Sequence, residues 1–238
     1  MRHEIPLNNV PHDYAAVLDS FVKKLAEQQQ QNIQAILLTG SYARGDAGPS
    51  SDLDIWCLFQ EIDHNVLSSV GKVARSLPVQ YDNLEVNAQC LTKAEFEYGN
   101  FAKFISPPVI YLESVLLYGD YSTQKPSAGE IEKNYKEILA EVLLSVRHYI
   151  CVDEPKENLT HRKVSTFILK PLMFALRLER FAYTGSYPLS TNELLHACDP
   201  HITVLIDWFL DADLLQRCIA ENHYLVLETM SDLIENLL

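Results

Sequence analysis

The chain has 238 residues, 47% of them hydrophobic, and carries 19 basic against 32 acidic side chains for a formal charge of −13. That length accommodates one large domain or two small ones with ample core. The longest apolar runs fall far short of the ~20 residues that span a bilayer, which sets aside membrane spanning, and no basic stripe able to neutralise nucleic-acid phosphates is evident, which argues against nucleic-acid binding.

Pro11 to about Asn32 has helical spacing, with Tyr14, Val17, Leu18, Phe21, Val22 and Leu25 forming an apolar stripe and Gln28 to Gln31 a solvated helix end. Residues 35–39 form a first strand, 41–46 a turn or the first turn of a helix, Gly48-Pro49-Ser50 a loop and 52–60 a second strand. Val66 to Ser76 is helical and stops before Pro78. In residues 84–91, LEVNAQCL, alternation puts Leu84, Val86 and Ala88 on one face and Glu85 and Asn87 on the other. Residues 93–104 are helical up to the Pro107-Pro108 break, and 109–120 read as a further strand or strands. TQKPSAG, 123–129, is the most linker-like segment.

From there the pattern is helical throughout. Residues 129–151 place Ile131, Tyr135, Ile138, Leu139, Val142 and Val146 on one side. Residues 160–184 are long enough that Pro171 should kink or split them, and Gly185 is positioned as a stop. Ser190 to Glu193 has capping-box character for a short helix to about Cys198, followed by helices at 201–211 and 213–237. The expected fold class is therefore α+β, with a mixed-sheet domain at 1–124 and an all-helical bundle at 125–238.

The densest functional signal is ILLTGSYARGDAGPSSDLDIWCLF, residues 36–59. An apolar strand ends in Gly40-Ser41, and Asp52 and Asp54 head the next strand. Alternate strand residues share a face, so these two carboxylates point the same way while Leu53 and Ile55 enter a core. Paired carboxylates repel and are tolerated when a hard cation such as Mg²⁺ sits between them. The Gly-Ser turn supplies backbone N–H groups and a hydroxyl suited to a phosphate chain.

This stretch resembles the G-S-x(10)-D-x-D signature of the polymerase-β-like nucleotidyltransferase superfamily, with Arg44-Gly45 and Ser51 as further matches. DAGPSSDLDIWCL, LEVN and the helix followed by AYTGSYPLS are similar to the kanamycin nucleotidyltransferase type; in the second half only hydrophobic pattern and length correspond. The resemblance implies that Asp52, Asp54 and Glu85 hold metal, with Glu85 on a second ion or assisting the nucleophile. It implies that Gly40 and Ser41 contact the β- and γ-phosphates of ATP or another nucleoside triphosphate. Arg44 is placed to reach phosphate oxygens or to form a salt bridge, and Ser51 to bind phosphate or cap the turn. The general base would be a Glu on the first helix of the second domain, where Glu137 and Glu141 lie four apart on one face; the family helix is richer in Glu, and both residues also suit a solvated face. The expected acceptor is a small, cationic molecule such as an aminoglycoside, drawn by the acidic chain, although acidity also serves solubility alone. A homodimer is typical of the resembled branch.

Five cysteines, Cys57, Cys90, Cys151, Cys198 and Cys218, include no C-x-x-C pair, and the first residues hold no apolar secretion segment. Together these suggest a reduced cytoplasmic protein with neither a disulfide framework nor a zinc site. Two other functions compete, the first being nucleotidyl transfer to a protein or an RNA 3′ end in a toxin–antitoxin pair, which would need a basic or partner-binding surface that the sequence does not display. Arg217 and His223 fit the R-x(4–6)-H spacing of the ribonuclease-like HEPN domains that accompany minimal nucleotidyltransferases in toxin–antitoxin pairs, but chance supplies about one such pair in a chain of this composition. A nucleotide-binding sensor is the other, and it would have no need of the paired carboxylates.

Overall fold

The computed structural model describes residues 12–48, 51–77, 85–98, 107–121 and 125–238. The expected Pro49-Ser50 loop, the Pro78 stop, the end of the 93–104 helix and the start of the 123–129 linker lie outside them. The chain divides into two units, Met1–Lys125 and Pro126–Leu238.

In the first unit, α1 (His12–Gln29) leads into β1 (Ile33–Thr39), α2 (Gly40–Arg44), β2 (Leu53–Phe59), α3 (His64–Ser76), β3 (Val86–Thr92), α4 (Lys93–Tyr98), α5 (Pro107–Glu113) and β4 (Val115–Gly119). The described strands form one mixed sheet in the order β3-β2-β1-β4. β1 runs antiparallel to both β2 and β4, and β2 runs parallel to β3. A parallel neighbour needs a crossover, and α3 lies within it.

Alternation sorts the sheet's side chains onto two faces. Ile36, Leu38, Leu53, Ile55, Cys57 and Phe59 pack with Phe21 and Leu25 of α1 and Val66, Val70 and Val73 of α3 in the main core. Ala35, Leu37 and Leu58 face the other way, toward Leu91, Phe96, Ile110 and Tyr121. Trp56 packs on this second face, with its ring 6.1 Å from that of Phe96, which meets Tyr121 edge-on at 5.2 Å. Cys57 and Cys90 are opposite each other on β2 and β3, and burial pushes the Cys57 thiol well up and Cys90 to about 11. All five cysteines are free thiols: Cys57 is buried, Cys90, Cys198 and Cys218 are half-buried and Cys151 is exposed.

One element differs from expectation. Residues 107–113 form a helix, and only 115–119 of the expected 109–120 strand region are strand. Pro107 and Pro108 begin that helix, where a missing N–H costs nothing. Ile110, Leu112 and Glu113 are buried on it. A short apolar run rich in Val and Ile does not distinguish strand from buried helix by periodicity.

The second unit comprises α6 (Ala128–Cys151), α7 (His161–Val164), a π-helical turn over Ser165–Leu169, α8 (Lys170–Thr184), α9 (Thr191–Ala197), α10 (Thr203–Leu210) and α11 (Ala212–Glu235). A full capping box starts α6: Glu130 N–H donates to Ser127 Oγ at 3.2 Å, and Ser127 N–H donates to Glu130 Oε2 at 2.7 Å. Helix α6 packs against α8 and α11, burying Tyr135, Leu139, Val142 and Val146. The disturbance expected at Pro171 takes the form of the π turn just ahead of it, in which Lys170 N–H reaches back to Ser165 O. A proline cannot donate the regular helical bond, and a widened turn absorbs the mismatch. Gly185 (φ 71°) ends α8 in the left-handed conformation, and Ser190 caps α9. Helix α11 is broken at Asn222, whose side chain accepts from Leu225 N–H at 3.2 Å and so caps the second half. Among the described residues no helix is long and apolar enough to cross a membrane.

Candidate active site

The candidate site lies where β1 ends and β2 begins. Thr39 pairs with Asp54 across the two strands, and its hydroxyl donates to the Asp54 carbonyl at 3.3 Å. At Gly40 the chain turns with φ +72°, a conformation that costs an L-residue roughly 1–2 kcal/mol. Gly40 is also pressed against Asp54: a Cβ at this position would run into the Asp54 carboxylate. The glycine is therefore required twice, for the turn and for the approach. The motif's spacing has a structural cause, since antiparallel pairing returns the second strand so that Asp54 stands beside the turn.

We expect Gly40→Ala to cost about 1–2 kcal/mol in urea unfolding from the backbone term. Transfer activity should fall much further, because the added carbon displaces Asp54. Equal activity at reduced stability would show that the close approach is irrelevant to function.

Asp52 precedes β2 and is half-buried, as is Asp54. Beside it, Leu53 N–H donates to the Glu85 carbonyl at 2.9 Å, bringing the start of β3 alongside the start of β2. The Glu85 side chain itself is exposed. Near Asp52 lies the buried Tyr42 of α2, whose ring stacks on Tyr14 with centroids 4.9 Å apart. Burial first, then the hydrogen bond and charge coupling to Tyr14, then Asp52, push the Tyr42 hydroxyl strongly up, so it stays neutral.

Directly opposite Asp54 on β3 is Asn87. Its Nδ2 donates to Asp54 Oδ1 at 2.9 Å, and its Oδ1 accepts from Gln89 Nε2 at 3.1 Å. The sequence alone puts Asn87 on the face of Glu85, and parallel register is what brings it to Asp54.

Arg44 is 9% exposed and is engaged inside the protein. Its Nη1 lies 2.8 Å from Oε2 of the buried Glu113 on α5, and its Nε lies 3.5 Å from Asp46. Of the two roles expected for Arg44, the structure therefore displays the ion pair, in a buried rather than a surface form. Glu113 was not singled out by sequence, although an acid inside the apolar run VIYLES was a signal for a buried partner. Ser51 closes its own turn: Gly48 N–H donates to its Oγ at 2.9 Å and Ser51 N–H donates to Gly48 O at 3.0 Å. Ser41 is half-buried at the turn, and its carbonyl accepts from Asp46 N–H at 3.0 Å.

The remaining expected residues belong to the second unit. Glu141 is exposed on α6, and Glu137 forms an exposed pair with Lys133 at 3.8 Å. Arg217 and His223 lie on either side of the Asn222 break and so share no continuous helical face.

Among the described residues no three carboxylate, imidazole or thiol side chains gather as a metal cage. Asp52 and Asp54 at the turn and Glu85 just before β3 are the expected donors, and their fit to Mg²⁺ is a matter of donor chemistry. Mg²⁺ is usually held by one or two carboxylates together with substrate phosphates and water. Hard oxygen donors beside a glycine turn that leaves no room for a side chain suit that pattern.

Residues 18–105 match the family model of the nucleotidyltransferase domain. The first unit thus carries a nucleotidyltransferase domain, the activity that the glycine turn and paired aspartates led us to expect. Its fold matches a solved structure titled as spectinomycin adenyltransferase AAD(9) from Enterococcus faecialis with ATP and spectinomycin. The TM-score is 0.54 at 11% identity, covering 93% of this chain and 99% of that one. At that identity the likeness is one of fold. No curated protein matches the chain by sequence.

Proposed function

We propose that the chain moves AMP from ATP to a hydroxyl of a small, cationic acceptor such as an aminoglycoside, with release of pyrophosphate. The observation that carries this reading is the placement of Asp54 against the Gly40 turn, with Asp52 two residues before it. The fold shared with an adenyltransferase solved with ATP and spectinomycin, and the charge of −13, support it.

In this reading Asp52 and Asp54, with Glu85 beside them, would hold Mg²⁺, which would neutralise phosphate charge and favour departure of pyrophosphate. Gly40 and Ser41 receive the β- and γ-phosphates at the turn. Ser51 keeps the following loop closed, and Arg44 serves the phosphates through the turn it anchors. The acceptor oxygen attacks the α-phosphorus. The bond from that phosphorus to the β-phosphate bridging oxygen breaks, and pyrophosphate leaves with the electron pair. The hydroxyl proton passes to a carboxylate, for which Glu85 and Glu141 are the two candidates: an exposed acid beside β2 and an exposed acid on α6. Homodimer assembly and a role in antibiotic modification belong to the same proposal.

The test is a pyrophosphate-release screen with Mg²⁺ and ATP against aminoglycosides, lincosamides and nucleotides. We expect release with at least one cationic aminoglycoside and none after chelation of divalent metal. Release with nucleotide or RNA ends alone would replace the acceptor class, and tight ATP binding without any release would favour a sensor.

A further inference from the structure

Asp54 is constrained from two sides. On one side is the Gly40 backbone, close to Asp54 Oδ2, where even a methyl group would collide. On the other is Asn87, donating to Oδ1 at 2.9 Å from the register position directly opposite. A side-chain amide can present either its oxygen or its nitrogen to a neighbour; an ionised carboxylate only accepts, so the Asn87 nitrogen faces Asp54, and Gln89 supports that orientation from the other end. Gln89 donates to the Asn87 Oδ1 that remains, at 3.1 Å, so both ends of the amide are engaged. All three residues sit on one sheet face, so the chain of donors Gln89 to Asn87 to Asp54 follows from strand alternation and parallel register alone.

We propose that Asn87 is a positioning residue for the metal-holding carboxylate, and that Gln89 buttresses it. The inference rests on the assignment of Asp52 and Asp54 to metal given above. A neutral amide suits this position chemically. It donates to an ionised carboxylate without adding a third negative charge beside the Asp52–Asp54 pair, and it cannot itself compete as a strong ligand for a hard cation. By occupying Oδ1 it directs the Oδ2 side of the carboxylate to the Gly40 turn, where the phosphates are proposed to lie. Partners of metal ligands commonly change metal affinity 10–100-fold when removed, because the ligand then samples unproductive rotamers.

The test uses the full chain and Mn²⁺ alone as the probe, with bound ion read by electron paramagnetic resonance and fold integrity by thermal unfolding. Four proteins are compared: the unaltered chain, Asp54→Asn, Asn87→Ala and Gln89→Met. Gln89 is exposed, so its variant provides a reading even if Asn87→Ala folds poorly. We expect Asp54→Asn to lose binding, Asn87→Ala to weaken it about tenfold, and Gln89→Met to weaken it in the same direction by less. In turnover the Mg²⁺ concentration for half-maximal rate should rise by the same factor for Asn87→Ala, with the rate at saturating Mg²⁺ changed far less. A merely structural amide would lower thermal stability without moving that concentration. Mn²⁺ affinity in both Asn87→Ala and Gln89→Met within twofold of the unaltered chain overturns the inference and leaves the proposed function standing. Failure of the unaltered chain to bind Mn²⁺, or full binding by Asp54→Asn, overturns the metal assignment itself.

Discussion

Asp54→Asn is expected to lower the rate of nucleotidyl transfer by about three orders of magnitude, equivalent to roughly 4 kcal/mol of lost transition-state stabilisation. The substitution preserves shape and removes a charge. It leaves the β1–β2 pairing at Thr39 untouched, since that pairing is made by backbone. Relief of repulsion with Asp52 offsets any loss of hydrogen bonding, so stability should hold or rise slightly. The combination is diagnostic: a protein that unfolds at unchanged urea concentration but no longer releases pyrophosphate has lost chemistry rather than fold. Asp52→Asn should behave alike, because both carboxylates are proposed to hold the same ion. Retention of more than about a tenth of the rate in either variant would place the metal elsewhere, given the size expected for a lost metal ligand.

The second large effect is on stability and concerns Glu113. Arg44 and Glu113 are both buried, 2.8 Å apart, and come from positions 69 residues apart. Removing one member of a buried pair strands the other's charge, which typically costs about 3–5 kcal/mol. Glu113→Gln should fall near the lower end, about 3 kcal/mol, because Asp46 lies 3.5 Å from the same guanidinium and partly compensates it. Replacing both partners by apolar residues, Arg44→Met with Glu113→Leu, should recover most of that loss, to within about 1 kcal/mol of the unaltered chain. Urea unfolding of the single and double variants measures the difference. If Glu113→Gln costs under about 1 kcal/mol, the pair does not anchor α2 to α5 and Arg44 regains its claim as a phosphate ligand.

These two predictions differ in how far the sequence leads to them. The carboxylate pair is a local pattern: alternation alone places Asp52 and Asp54 on one face, and the register of β1 with β2 sets Asp54 beside the turn. Gly40 is legible for the same reason, since the turn and the strand it meets lie within one hairpin-like segment. Glu113 is different. Its meaning depends on Arg44, and no periodicity links residues so far apart. The same distance hides Asn87, whose face is legible but whose neighbour is decided by parallel pairing across a crossover.

The misread element has a related cause. Residues 109–113 are apolar and β-branched enough to suit a strand, and the prolines before them look like a break. Burial of Ile110 and Leu112 and capture of Glu113 by Arg44 stabilise a helix there instead, and these are tertiary effects that local propensity does not contain. The π turn before Pro171 is an intermediate case. The proline announces a disturbance, while its form depends on α6 and α10, which pack against that turn. In the second unit the helical pattern is clear in the sequence and the acceptor chemistry is not, because exposed acids such as Glu137 and Glu141 look alike whether solvated or catalytic.

The chain is proposed to attach AMP to a small cationic acceptor. That proposal is tested most directly by incubating the chain with Mg²⁺, ATP and a panel of aminoglycosides, and weighing the acceptors by mass spectrometry. One acceptor should gain a single AMP, with one pyrophosphate released for each, and Asp54→Asn should give no product. Pyrophosphate or AMP appearing with every acceptor unmodified, or an acceptor modified equally by Asp54→Asn, would contradict it.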